Sequence, residues 1–201
     1  MNQSSETATV SVCGPVGSGK TALIARVVPE LHATGLAVGV VATDVTNSED
    51  ATALRERLDG VVPADLVVGV IGDPRPETLH CDHLRAFLDS HPELDVVLVE
   101  SGGDTTSHTP PDWIDYSLFV ISVAEGDDVP RKRGAGIVDC DLLVVNKTDL
   151  AEHVGANLGT IERDARTVRG GPFIFTNCKT GEGIDAVVDH IVKAVGLASS
   201  P

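Results

Sequence analysis

A chain of 201 residues, 42% hydrophobic with a mean hydropathy of +0.10, is long enough for one domain with a real buried core. Its 30 acidic residues against 15 basic ones leave a net charge of −15, which sets the surface against nucleic acid and against anionic membranes. No stretch approaches the ~18 consecutive apolar residues of a membrane span, and the first residues carry neither the basic patch nor the apolar block of a secretory signal, so the expectation is a cytoplasmic protein. Only Lys20, Lys132, Lys147, Lys179 and Lys193 supply lysine, a composition that suits a salt-loaded cytoplasm where charges are screened over a few ångströms. The cysteines Cys13, Cys81, Cys140 and Cys178 are scattered, three of them inside apolar runs, and suggest no disulfide framework.

Along the chain, apolar β-rich runs cover residues 9–13, 37–43, 66–71, 95–100, 117–123, 141–146 and 172–176. Most lack alternation, as strands buried on both faces do. Between them lie helix-length patterns at residues 20–33, 48–59, 77–90 and 184–195, which predicts an α/β fold with a mostly parallel sheet between two helical layers. Pro29 falls inside the first helical pattern and is expected to kink or end it near Val28. One domain over residues 7–198 is expected, with frayed ends.

Directly behind the first strand stands Gly14-Pro15-Val16-Gly17-Ser18-Gly19-Lys20-Thr21, which fits G-x-x-x-x-G-K-[ST] in the strand-to-helix context that gives the pattern meaning. Its glycines let backbone N–H groups converge on phosphate oxygens, the helix start adds partial positive charge, Lys20 reaches the outer phosphates, and the Thr21 hydroxyl suits Mg²⁺. The fold class is therefore a phosphate-loop nucleoside triphosphatase.

The base is set elsewhere. The run Leu142-Leu143-Val144-Val145 delivers Asn146-Lys147-Thr148-Asp149 at its carboxyl end. In N-K-x-D the Asp149 carboxylate can accept both the ring N1–H and the exocyclic amine of guanine, two charge-assisted bonds that adenine cannot offer. The Lys147 stem can lie along the base, and Thr176-Asn177-Cys178-Lys179 stands where a backbone N–H would meet the guanine O6. Asp44 and Glu100 end the second and fourth strands; Asp44 is the candidate for Mg²⁺ or its water shell, Glu100 for orienting water or sensing nucleotide state, and both also suit helix caps or turns. Catalytic roles thus fall to Lys20, Asp44 and Glu100, with Arg131 and Arg133 as possible partners for phosphoryl charge.

These residues, with Val99-Glu100-Ser101-Gly102-Gly103-Asp104, Pro130-Arg131-Lys132-Arg133-Gly134 and Phe175-Thr176-Asn177-Cys178-Lys179-Thr180-Gly181-Glu182-Gly183, resemble the UreG family, the GTPases that help load nickel into urease. The likeness spans nearly the whole chain, and V-E-S-G-G-D with P-R-K-x-G makes the related HypB family a poorer fit. The resemblance implies a G domain of the SIMIBI type, GTP and Mg²⁺ as cofactors, dimerisation around Ni²⁺ or Zn²⁺, a cytoplasmic location, and action with the other urease accessory proteins on the urease apoprotein.

Family members carry a Cys-Pro-His element whose cysteine and histidine, from two subunits, hold the metal. Between Val70 and Pro92 this chain reads Ile71-Gly72-Asp73-Pro74-Arg75-Pro76-Glu77-Thr78-Leu79-His80-Cys81-Asp82-His83 instead. His80, Cys81 and His83 have side chains that suit nickel or zinc, but Leu79, Leu84, Phe87 and Leu88 mark the tract as helical, where positions two apart diverge by about 200°. His80 and His83, three apart, could share a face; the same residues also read as a solvated helix surface. Two functions follow: a GTPase metallochaperone for urease, or a paralogue that keeps the GTP switch, has lost the metal and regulates another client.

Overall fold

The computed structural model describes residues 7–44, 49–71, 80–102, 113–132 and 134–198. Seven strands, β1 (Ala8–Cys13), β2 (Val38–Asp44), β3 (Val67–Ile71), β4 (Val96–Glu100), β5 (Tyr116–Ser122), β6 (Leu142–Asn146) and β7 (Phe173–Phe175), form one sheet in the order β3-β2-β4-β1-β5-β6-β7. Every pairing between these strands is parallel, with registers such as Val12↔Glu100, Val12↔Leu118 and Ser122↔Asn146. All seven runs read from the sequence are strands, each shifted at its ends by a residue or so.

The helices are α1 (Lys20–Ala33), α2 (Glu49–Arg57), α3 (His80–Ser90), α4 (Ala135–Asp139), α5 (Ala151–Val154), α6 (Leu158–Val168) and α7 (Ile184–Ala198). The missing alternation along the strands is explained by the two cores they feed. Val10, Val40, Leu98, Val120 and Val144 point into one core with Leu23, Ile24 and Val27 of α1, Leu54 of α2 and Val187 and Ile191 of α7. Their neighbours point the other way: Phe119, Ile121, Leu143 and Val145 pack on Ile137, Ile161 and Ala165, while Val41, Val97 and Val99 pack on Leu84 and Phe87. A pleated strand with both faces covered has no polar side to show.

Pro29 corrects one expectation. Helix α1 neither ends nor is interrupted near Val28 but runs on to Ala33, with Pro29 inside it. Val27, Val28 and Leu31, all buried against the sheet, supply packing that outweighs the single backbone hydrogen bond the proline removes. The sequence pattern also missed α6, whose Asn157 side chain accepts from the Thr160 N–H as an N-cap.

Of the cysteines thought to lie in apolar strands, Cys13 does, Cys140 caps the end of α4, and Cys178 sits half-buried in the loop after β7. All three are free thiols, and burial pushes each thiol above its ordinary range. Beside Cys140, the buried Arg169 spends its guanidinium on carbonyl oxygens of Ile137, Cys140 and Pro172, tying the end of α4 and the starts of β6 and β7 together.

Candidate nucleotide and magnesium site

Because the strands run in one direction, the loops after β1, β2, β4, β5, β6 and β7 all leave from the same rim of the sheet, where open α/β folds bind ligands. The loop after β1 is shaped by close approaches that only glycine permits. A Cβ on Gly14, at φ +138°, would stand 2.1 Å from the Val120 carbonyl oxygen, and one on Gly19, at φ +103°, would stand 2.3 Å from the Asn146 amide nitrogen.

Gly19 is the N-cap of α1, with no side-chain cap and no acidic residue in the first turn. The N–H groups that open the helix are thereby left for an anion. The Ser18 hydroxyl nearby is fully buried and makes no hydrogen bond among the described residues. Lys20 is only 7% exposed, and its ammonium donates to the carbonyls of Gly14 at 3.0 Å and Pro15 at 3.2 Å. Two of three donors are thus held within the loop and position the charge over it.

Thr21, next along α1, donates its hydroxyl toward Glu100 Oε1 at 2.7 Å, with Asp50 Oδ1 3.3 Å away. Glu100 ends β4, where the sequence placed it, and is 1% exposed. Its backbone carbonyl also accepts from the Thr43 hydroxyl at 2.8 Å, fastening β2 to β4 one residue before Asp44. Asp44 closes β2 as expected, but its side chain lies outside the described residues. Asp50, in the first turn of α2, was missed: nothing in its local sequence distinguishes it from an ordinary helix-start carboxylate. A hydroxyl and two carboxylates brought together are hard oxygen donors of the kind Mg²⁺ takes, so the residues present fit that ion.

Asn146 joins the two halves of the site. Its Nδ2 donates to the Ser18 carbonyl at 3.0 Å, while its Oδ1 accepts from the Thr176 hydroxyl at 3.2 Å and from the Cys178 N–H at 3.3 Å. Lys147 holds φ +64°, the one left-handed non-glycine among the described residues, a conformation that costs about 1–2 kcal/mol. In return its ammonium reaches the Gly17 carbonyl at 2.5 Å, laying the side-chain stem across the rim. Asp149 follows in the short 3₁₀ turn Thr148–Leu150, and it is exposed.

In the loop after β7, Asn177 lies where the sequence placed it, beside Asn146 and Thr176. The residue is buried, and its side-chain oxygen accepts from the N–H groups of Lys179 at 3.0 Å and Thr180 at 3.4 Å, so it shapes the loop. Behind the site, Glu125 and Ser122 form a reciprocal cap after β5. Burial pushes the Glu125 carboxyl up, against the opposing pull of the Ser122 N–H, Lys147 and Lys20. Arg131 pairs with Asp128 at 3.7 Å and Asp164 at 3.8 Å, toward α6; Arg133 lies outside the described residues.

The tract proposed for nickel or zinc falls only partly within view. Helix α3 begins at His80, which puts positions 80 and 83 one turn apart and positions 81 and 83 about 200° apart around the axis. His83 is exposed, and the side chains of His80 and Cys81 lie outside the described residues. Among the described residues, no three His, Cys, Asp or Glu side chains gather as metal ligands would.

The nucleotide-binding domain family described as CobW/HypB/UreG matches residues 8–175, which takes in the phosphate loop, Glu100 and N-K-T-D. Over 202 aligned residues the chain is 54% identical to the urease accessory protein UreG of Natronomonas pharaonis, covering 96% of this chain and 98% of that one. The chain belongs to the UreG family. It is also 51% identical to the UreG of Haloquadratum walsbyi, over 96% of this chain and 98% of that one. Among solved structures, the hydrogenase maturation factor HypB of Archaeoglobus fulgidus superposes with a TM-score of 0.74 at 29% identity, covering 95% of this chain and 91% of that one. The HypB of Helicobacter pylori, solved in complex with nickel, shares the fold at a TM-score of 0.79 and 17% identity, covering 98% and 91%. The fold of this UreG-family chain is thus that of the phosphate-loop GTPases, and the resemblance read from its motifs holds along the chain.

Proposed function

We infer that this UreG-family chain is a GTP-hydrolysing metallochaperone that assists GTP-dependent insertion of nickel into urease. The observation that carries the reading is Asn146, which fastens the phosphate loop to the loop after β7 and so supports one guanine nucleotide site shared by the three segments. Relatives named urease accessory protein UreG, matched over nearly their whole length, supply the client. The alternative of a paralogue serving another client is not favoured by that likeness.

In this reading Lys20 and the opening N–H groups of α1 hold the phosphates, Asp149 reads the guanine edge, and a backbone N–H of the Cys178–Lys179 loop meets its O6. Thr21, with Asp44 and Asp50, would hold Mg²⁺ directly or through its waters, and Glu100 orients the attacking water or registers the γ-phosphate. The ion, when bound, neutralises charge developing on the phosphoryl oxygens. Arg131 is engaged by acids, so the chain alone hydrolyses GTP slowly and waits for a partner to complete the site. The protein works as a homodimer in the cytoplasm, taking up Ni²⁺ or Zn²⁺ as cargo at about one ion per dimer, with His80, Cys81 and His83 as the ligands to test.

Thr21→Ala is expected to raise the Mg²⁺ concentration needed for half-maximal GTP hydrolysis by about tenfold while leaving Mg²⁺-free GDP binding nearly unchanged. Titrating hydrolysis against Mg²⁺ checks this; an unaltered Mg²⁺ dependence would remove the threonine from the ion's shell. For the function itself, the chain is mixed with apo-urease, the other accessory proteins and Ni²⁺. Urease activity is expected with GTP and not with a non-hydrolysable analogue. Activation independent of nucleotide would count against the metallochaperone role.

A further inference from the structure

On the outer side of the base-side loop, Arg26 of α1 donates from Nε to the Cys178 carbonyl and from Nη2 to the Lys179 carbonyl, both at 2.8 Å. The two donors of a planar guanidinium thus meet two successive carbonyls as a fork. In a trans peptide the N–H points opposite to the C=O, so each of these peptide planes has its hydrogen directed to the other side. There Asn177 Oδ1 accepts both, from Lys179 at 3.0 Å and from Thr180 at 3.4 Å. The peptide planes after Cys178 and Lys179 are therefore gripped from both sides, by an arginine outside and an asparagine within. The preceding plane is held by Asn146, which accepts the Cys178 N–H at 3.3 Å.

Asn177 and Asn146 belong to the loop and to N-K-T-D, but Arg26 comes from the helix that starts at the phosphate loop, about 9 Å along its axis from Lys20. It is an exposed side chain with no part in the core and no reach to a phosphate-binding N–H. Resting on the guanine reading of the site, we propose that Arg26 is a positioning residue for base specificity, holding the Cys178 and Lys179 carbonyls so that the Cys178 N–H, shared with Asn146 Oδ1 at 3.3 Å, meets the guanine O6. Through Arg26, the same helix that presents Lys20 and Thr21 to the phosphates also sets the alignment of the base.

The test compares GDP with 6-thioguanosine diphosphate, which keeps N1–H, the 2-amino group and the phosphates but carries sulfur, a weaker hydrogen-bond acceptor, in place of O6. Affinities are measured by displacement of a fluorescent guanine nucleotide from the whole protein, for wild type, Arg26→Ala and Arg26→Lys. Arg26→Ala is expected to weaken GDP by about five- to tenfold and leave the thio nucleotide nearly unchanged, so that preference for O6 falls by about the same factor. Arg26→Lys keeps the charge but not the fork and is expected to recover only part of the loss. Equal weakening of both nucleotides, or full recovery by lysine, would show a long-range charge effect and overturn the proposal; so would no change in either. A wild type that bound the two nucleotides equally would instead sink the O6 reading on which the proposal rests. Thermal melting of the variants separates these results from unfolding.

Discussion

Replacing Lys20 by alanine is expected to abolish GTP and GDP binding at micromolar concentrations while leaving the melting temperature of the protein within a few degrees. The ammonium is nearly buried, held by two carbonyls of its own loop, and its charge stands over the one helix start in the site that lacks both a side-chain cap and an acidic first turn. Charge-assisted bonds from such a group to phosphate oxygens are worth about 1.5–3 kcal/mol each, so losing two of them costs at least ~10²-fold in affinity. The fold is spared because both hydrogen bonds of the ammonium return to its own loop, at Gly14 and Pro15. Isothermal titration with GDP measures the loss. Retained affinity would mean that the phosphates lie elsewhere.

Asp149→Asn is expected to invert base preference rather than destroy binding. In the proposed site the carboxylate accepts from both N1–H and the 2-amino group of guanine; an amide would keep one acceptor and turn a donor toward the amine. GTP should therefore weaken by about 2–3 kcal/mol, or ~30- to 10²-fold, as one charge-assisted bond is lost and a buried donor is left facing another. Xanthine carries an oxygen at that position and accepts from the new amide, so its triphosphate should gain affinity. Competition of the two nucleotides against one fluorescent probe gives the ratio directly. An unchanged ratio would detach Asp149 from the base, and with it the assignment of guanine. The exposed position of Asp149 on its short 3₁₀ turn makes an effect through folding small.

Much of this was legible before any coordinates. Residues Lys20–Ala33 form the first helix with the ends read from sequence, because the glycine before Lys20 and the apolar spacing of Leu23, Ile24, Val27, Val28 and Leu31 are both local signals. The strands were legible since their side chains are apolar on both faces, which no amphipathic element imitates over five residues. The shapes of the phosphate loop and of N-K-T-D were legible because the backbone geometry they need restricts residue type. Gly14 and Gly19 are forced by close approaches, and Asn146 by its need to donate and accept at once.

What stayed hidden depends on contacts between distant segments. Asp50 meets Thr21 only because α2 packs beside α1, and Arg26 meets the Cys178 carbonyl across 152 positions of chain. No local pattern announces either. The turn-shaping role of Asn177 was hidden too: its motif placed it beside the base and did not show that its amide oxygen folds the turn. Pro29 was overvalued as a helix stop because propensity was weighed without the tertiary packing that keeps α1 helical through it.

The order of the strands also bears on how the protein is made. Strand β1 is made well before its hydrogen-bonded neighbours β4 and β5, which begin at Val96 and Tyr116, and the base loop ends at Lys179. A nascent chain therefore carries its phosphate loop unsupported until those strands follow, and guanine nucleotide can be captured only once the chain has been made through Lys179. Nucleotide then acts as a late clasp, favouring the finished protein over every shorter or misassembled form by its own binding free energy.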